Sequence, residues 1–174
     1  VRRLLQVLVG ILAIVALSLA AVVWVVVADL SRLRADEEAG REALAAARAL
    51  ASDMLSYDHR TIEQDFARAG GYTVGDLTRH YRELAATVIP QARRDQTVQQ
   101  ATVAGAGVES AASGDPGRVE VLLFMTMSTV KVPPGGGEPR RQVSHNRARF
   151  VMVKKDSRWL VAELSTLLGN PPPA

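Results

Sequence analysis

Residues 118–166 read RVEVLLFMTMSTVKVPPGGGEPRRQVSHNRARFVMVKKDSRWLVAELST, and this stretch decides the fold. It holds three runs rich in β-branched and aromatic residues. Two turn signals break them, the proline- and glycine-rich Val132–Pro139 and the short step Asp156–Ser157. In the second of these runs Ala148, Phe150 and Met152 alternate with Arg147, Arg149, Val151 and Val153, so one side of it is core-like. A similar run begins near Val98 and is closed off by SGDPG at 113–117. The sequence therefore predicts four strands, at about 98–112, 118–132, 142–155 and 158–166, joined as consecutive hairpins.

Upstream the apolar spacing changes from two to three and four. Val74, Leu77, Tyr81, Leu84 and Val88 mark one helix face, with T-V-G-D from Thr73 as a capping box and Pro90 as a stop near Ile89. Before it, residues 55–66 read LSYDHRTIEQDF. With Asp58 as N-cap, Tyr57 and Ile62 form a hydrophobic staple, and Thr61 with Gln64 offers a second capping box one frame later. This short helix runs to about Ala69 and ends at Gly70-Gly71, leaving Glu63 and Asp65 as surface charges. Asp29 to about Met54 is alanine-rich, lacks proline and carries the pairs Arg34/Glu38 and Glu37/Arg41, so it reads as helix. Its narrow stripe of Gly40, Leu44, Ala47, Ala51 and Met54 suits close packing on the domain's own sheet or a coiled-coil contact with a partner. Helices followed by an antiparallel meander make an α+β domain, with helices covering one face of a curved sheet.

Leu4 to Ala28 contains no charged residue. As a helix rising about 1.5 Å per residue it would be about 37 Å long, against a hydrocarbon core of about 30 Å. Trp24 suits an interfacial anchor. A cleaved signal peptide, with Ser18-Leu19-Ala20 before the cut, is the rival reading, but the apolar run continues past it through AVVWVVVA. Arg2 and Arg3 flank one end and Asp29 opens the other, which predicts a single-pass plasma-membrane protein with its N-terminus in the cytoplasm and the bulk of the chain outside it.

The chain divides on this reading into a transmembrane anchor at 1–28, a juxtamembrane helix at 29–50, a cone-like α+β domain at 51–166 and a disordered proline-rich tail at 167–174. Net charge is +3, or +1 without Arg2 and Arg3, which gives no basis for long-range nucleic-acid attraction. The absence of cysteine excludes disulfides and thiolate metal sites.

His59, His80 and His145 are scattered, and no zinc-ligand, nucleophile-elbow or phosphate-loop motif occurs. No catalytic, cofactor-binding or metal-ligating residue is assigned, and no cofactor is expected. Asp58 with His59 is the best acid–base pair, with Tyr57 or Asp65 as a third member, yet neighbours at a helix start point in different directions. Arg140, Arg141, His145, Arg147 and Arg149 read as a solvated strand face and loop, with contact to anionic lipid headgroups left open.

One span, a juxtamembrane helix, MLSYDHRT, YTVGDLTRHY and SRWLVAEL follow one another in an order that resembles the Mce-associated membrane proteins of actinobacteria. The likeness covers roughly Ala51 to Leu164 plus the anchor, and it departs at His59, where the family tends to have an aromatic. It implies a nuclear-transport-factor-two-like, or cystatin-like, domain outside the plasma membrane. It further implies a non-enzymatic accessory subunit that stabilises an Mce-type lipid or sterol import complex, with permease and substrate-binding subunits as partners. The same fold also serves the single-span bridging subunits of type IV secretion machines and small enzymes or lipid carriers. An enzyme needs its polar pair inside the cone, whereas an accessory subunit should have a filled cone and an interactive outer surface.

Overall fold

The structure, a computed structural model, describes residues 2–111, 117–132 and 137–167, with side chains from Leu17 onward except at Ala111 and Leu167. The element order is α1 (Arg2–Leu55), β1 (Tyr57–Asp58), α2 (Ile62–Gly70), α3 (Asp76–Arg94), β2 (Val98–Ala111), β3 (Arg118–Lys131), β4 (Arg140–Lys155) and β5 (Arg158–Leu167). The fold is α+β, with one antiparallel sheet in the order β1-β2-β3-β4-β5. The four expected hairpin strands are present, and the sheet has a fifth. β1 pairs Tyr57 with Gln99 and Asp58 with Val98. A strand of two residues carries no alternation, so its pattern could not announce it.

β2 is interrupted by register shifts between Val103 and Gly105 and between Val108 and Ser110. Such bulges bend a strand and increase its twist, which curves this sheet around the helices. At the opposite edge Val161 of β5 pairs with the segment after α2. Val74 N donates to Val161 O at 3.0 Å and Val161 N donates to Tyr72 O at 2.8 Å. Both contacts satisfy edge groups that would otherwise invite a foreign strand.

The core lies between one sheet face and the helices. Val119, Val121, Leu123 and Met125 of β3 stand beside Phe150, Ala148 and Met152 of β4, all buried. Each large side chain so buried contributes about 1.5–3 kcal/mol. α1 supplies the opposing surface with Ala39, Ala43, Ala47, Ala51 and Met54. The small-residue stripe therefore packs on the domain's own sheet. Small side chains let the helix axis approach β2 closely, and Val108 lies 3.6 Å from where a Cβ on Gly40 would stand.

Before Ala39, α1 leaves the domain. Leu17, Leu19, Val22–Val27, Leu30 and Leu33 are exposed, Trp24 most of all at 77%. Among the described residues no helix is long and apolar enough to cross a membrane. Residues 4–16 of the expected span lie outside those whose side chains are described. The expected tail at 167–174 likewise falls outside them beyond Leu167.

Three local expectations are corrected. Thr61 rather than Asp58 stands at the start of α2. Gly75, at φ 67°, precedes α3, and Thr73 is spent on its own contacts, with its hydroxyl 2.7 Å from Gly70 O and 2.9 Å from Thr78 Oγ1. α3 also continues through Pro90 to Arg94. Proline removes one amide donor and displaces the carbonyl four residues back, but both Pro90 and Ala86 face solvent, where water serves the freed carbonyl. The last turn is pinned beyond the proline by buried Ala92, whose carbonyl accepts from Thr97 N at 2.8 Å.

Candidate functional site

The titratable cluster in LSYDHRTIEQDF folds into a junction between β1 and α2. Asp58 Oδ1 accepts from Arg60 N at 2.9 Å, turning the chain just after β1. Asp65, expected at the surface, is buried at 8% exposure. Its Oδ2 accepts from Asp58 N at 3.2 Å and from Thr61 Oγ1 at 2.9 Å, while Oδ1 accepts from Arg68 at 2.6 Å. One carboxylate thus ties the strand, the helix start and the following turn together. A buried charge is tolerated only when fully hydrogen-bonded, and this one is.

The staple is also redistributed. Ile62 is fully buried, but Tyr57 packs against Phe66, with ring centroids 6.0 Å apart, and Phe66 against Tyr81 at 6.2 Å. Burial pushes the Tyr57 phenol up, and it pushes Tyr81 up to about 12. Tyr81 donates its hydroxyl to Met54 O at 2.9 Å, joining α3 to the end of α1.

His59 Nδ1 lies 3.3 Å from Asp58 Oδ1 but makes no hydrogen bond. The shallow cleft of about 260 Å³ beside the junction is lined by Asp58, Thr61, Asp65 and Arg68, and His59 is not part of its wall. Asp58 and His59 therefore do not converge on a common cavity, as an acid–base pair must to reach one substrate.

Among the described residues, the apolar side chains of β3, β4 and α1 form one buried cluster between the sheet and the helices. The buried polar residues, Asp65, Thr73 and Thr97, are all held by internal hydrogen bonds. Concavities lie on the outside. One of about 510 Å³ opens where α3 begins beside β5, walled by His80, Glu83, Glu120, Arg149 and Glu163. An apolar groove of about 380 Å³ runs between α2 and α3 along Phe66, Ala67, Tyr81, Ala85 and Ile89. Among the described residues no group of His, Asp and Glu is arranged to hold a metal ion.

The basic strand is divided. Arg149 is clamped by both oxygens of Glu109, at 2.7 and 2.6 Å, and these hydrogen bonds raise its already high pKa. Lys154 Nζ lies 2.6 Å from Glu42 Oε2, which also accepts from Trp159 Nε1 at 3.1 Å, and these bonds hold the Glu42 carboxyl below the usual range. Arg140, Arg141 and Arg147 have no such partner among the described residues. The sequence marked these arginines together, but only the folded sheet shows that β2 neutralises Arg149 and leaves the others without a carboxylate among the described residues.

No known family model matches the chain. The uncharacterized proteins Rv1362c and MT1407 of Mycobacterium tuberculosis strains H37Rv and CDC 1551 are 28% identical to it over 141 residues, covering 78% of this chain and 61% of theirs. The chain thus spans less than two thirds of the length of these curated relatives. Among solved structures, an IcmL-like type IV secretion system protein from Legionella pneumophila is similar at a TM-score of 0.56 and 12% identity, covering 75% of this chain and 94% of that one. CagV, a VirB8 homolog of the type IV secretion system of Helicobacter pylori, gives 0.54 at 10% identity, covering 71% and 94%. VirB8 of Agrobacterium tumefaciens gives 0.50 at 13% identity, covering 78% and 96%. At these identities the likeness is one of fold.

Proposed function

We propose that this chain is a non-enzymatic interaction subunit of a multi-protein assembly in the cell envelope, held by residues 4–28 in the plasma membrane with the α+β domain on the outer side. The observation that carries this reading is the apolar core between the sheet and α1, where Phe150, Leu123 and Met125 are buried and, among the described residues, no carboxylate or imidazole stands with them. What the molecule offers is outer surface. The uncharged stretch Leu4–Ala28 and the exposed apolar side chains of α1 before the domain support the anchor.

Two kinds of assembly fit. The bridging subunits of type IV secretion systems are favoured by the solved structures of similar fold. An Mce-type lipid or sterol import complex is favoured by the motifs MLSYDHRT, YTVGDLTRHY and SRWLVAEL. A pull-down of the tagged, detergent-solubilised full-length protein separates them. Recovery of secretion-system subunits supports the first, and recovery of Mce permease or substrate-binding subunits the second. A protein recovered alone with a small molecule bound in the domain would overturn the interaction reading and favour a carrier or enzyme.

A further inference from the structure

β4 changes electrostatic character along its length. Toward the end where α1 enters, Arg149 and Lys154 are matched by Glu109 and Glu42. Toward the other end Arg140, Arg141 and Arg147 face no carboxylate among the described residues, and Glu138 in the adjoining connection pairs with none of them. Lys131 stands directly across from Arg140 in the ladder. Like charges opposite one another are unfavourable, and the sheet carries such a pair at each end of β4, since Lys155 stands across from Arg158.

The face is not only charged. Arg141, Val143, His145 and Arg147 share the side of β4 turned away from the core, and Arg147 pairs with Phe124 of β3. Phe124 is 46% exposed and Val143 53%, although both are large apolar residues in mid-strand. Phe124 extends toward Gly105, whose Cβ position would lie 3.8 Å from its ring. Phe124 stands beside Arg147 and Val143 beside Arg141, with the pair of Thr126 and His145 between them. Aromatic residues and arginine are enriched on protein-binding surfaces, and cations without a carboxylate partner attract carboxylates.

We propose that this face, with Phe124 beside Arg147 and Val143 beside Arg141, docks a partner protein that presents both carboxylates and apolar side chains. The geometry of α1 selects a protein over the bilayer, a choice that rests on the membrane reading above. Arg48 donates to Ala106 O, which sets Arg147 level with about the middle of the packed part of α1. Arg141 stands opposite Val130 and Val130 opposite Val98, level with the end of α1 at Leu55. At about 1.5 Å per residue, these levels lie about 30 and 40 Å beyond Ala28. A headgroup layer at that residue would be several Debye lengths away, the screening length being about 8 Å at physiological salt.

The test uses the full-length chain in neutral detergent and three probes: poly-L-glutamate, vesicles of phosphatidylglycerol and phosphatidylcholine in equal parts, and a single-stranded oligonucleotide. The expected result is salt-sensitive binding of poly-L-glutamate that weakens about tenfold or more in R141E/R147E. It should persist in K155E/R158E, which reverses the same charge at the opposite end of the sheet. Unchanged melting of both variants confirms folding. Equal losses in the two double variants would overturn a defined site, and stronger binding of vesicles or oligonucleotide through Arg141 and Arg147 would overturn the protein partner. In the pull-down above, R141E/R147E and F124S should each lose a partner that the unaltered chain retains. Retention of every partner would remove this face from the interaction and leave the envelope-subunit reading standing.

Discussion

Asp65 holds together what Asp58 was expected to cap. Three hydrogen bonds converge on a nearly buried carboxylate. Asp65→Ala should therefore lower unfolding free energy by about 2–3 kcal/mol, since bonds to a charged group are the strong ones. Asp58→Ala removes a single contact at a part-exposed turn and should cost only about 0.5–1 kcal/mol. Urea unfolding of the two variants decides the matter, and a larger loss at Asp58 would restore the cap. The sequence showed that this stretch punctuates the fold, because turn-forming and helix-starting residues are local signals. It could not show which aspartate is buried, because Asp65 becomes so only when α2 lies against β1 and β2. The His59 side chain takes no part in these bonds, and its Nδ1 is enclosed and unbonded.

At the scale of elements, close approach and tethering govern stability. Ala47 is fully buried in the α1 stripe, so Ala47→Leu should overpack it and cost about 1–3 kcal/mol. Gly40→Ala should instead stabilise by about 0.5–1 kcal/mol, because the new methyl meets Val108 only at ordinary contact distance and glycine is a poor helix former. Thermal melts of the pair would show opposite signs. The link between α3 and α1 gives a pH signature. The Tyr81 phenol moves from its ordinary 10.0 to about 12 in the folded state. Below pH 10 it is protonated folded and unfolded, and its contribution is fully present. As the pH rises from 10 toward 12 the unfolded chain ionises first and that stability is lost. Chemical denaturation across this window should show a steeper decline for the native chain than for Tyr81→Phe. The helices α1 and α3 were legible because their period is long and regular. The course of α3 through Pro90 was not, because it depends on that residue facing water and on Thr97 anchoring the turn beyond it.

At the scale of the molecule, the meander was legible from its alternation and its hairpin connections, and with it the α+β class. The outer surface was less so. Arginines at alternate positions look alike in sequence, and only the carboxylate of Glu109 on β2, reaching across β3, separates Arg149 from Arg141 and Arg147. The buried apolar cluster belongs to this scale too, since it takes residues from α1, β3 and β4 at once. One consequence of α1 concerns direction. It is a single helix from Arg2 to Leu55, and every residue in it turns the axis by about 100°. Adding or removing one residue between Asp29 and Glu38 would swing the whole sheet by more than a quarter of a circle, whereas seven would return it to within about 20°. The stretch between residue 28 and the domain therefore sets a compass bearing, so that copies held in one plane by the anchor proposed above would be obliged to face the same relative way.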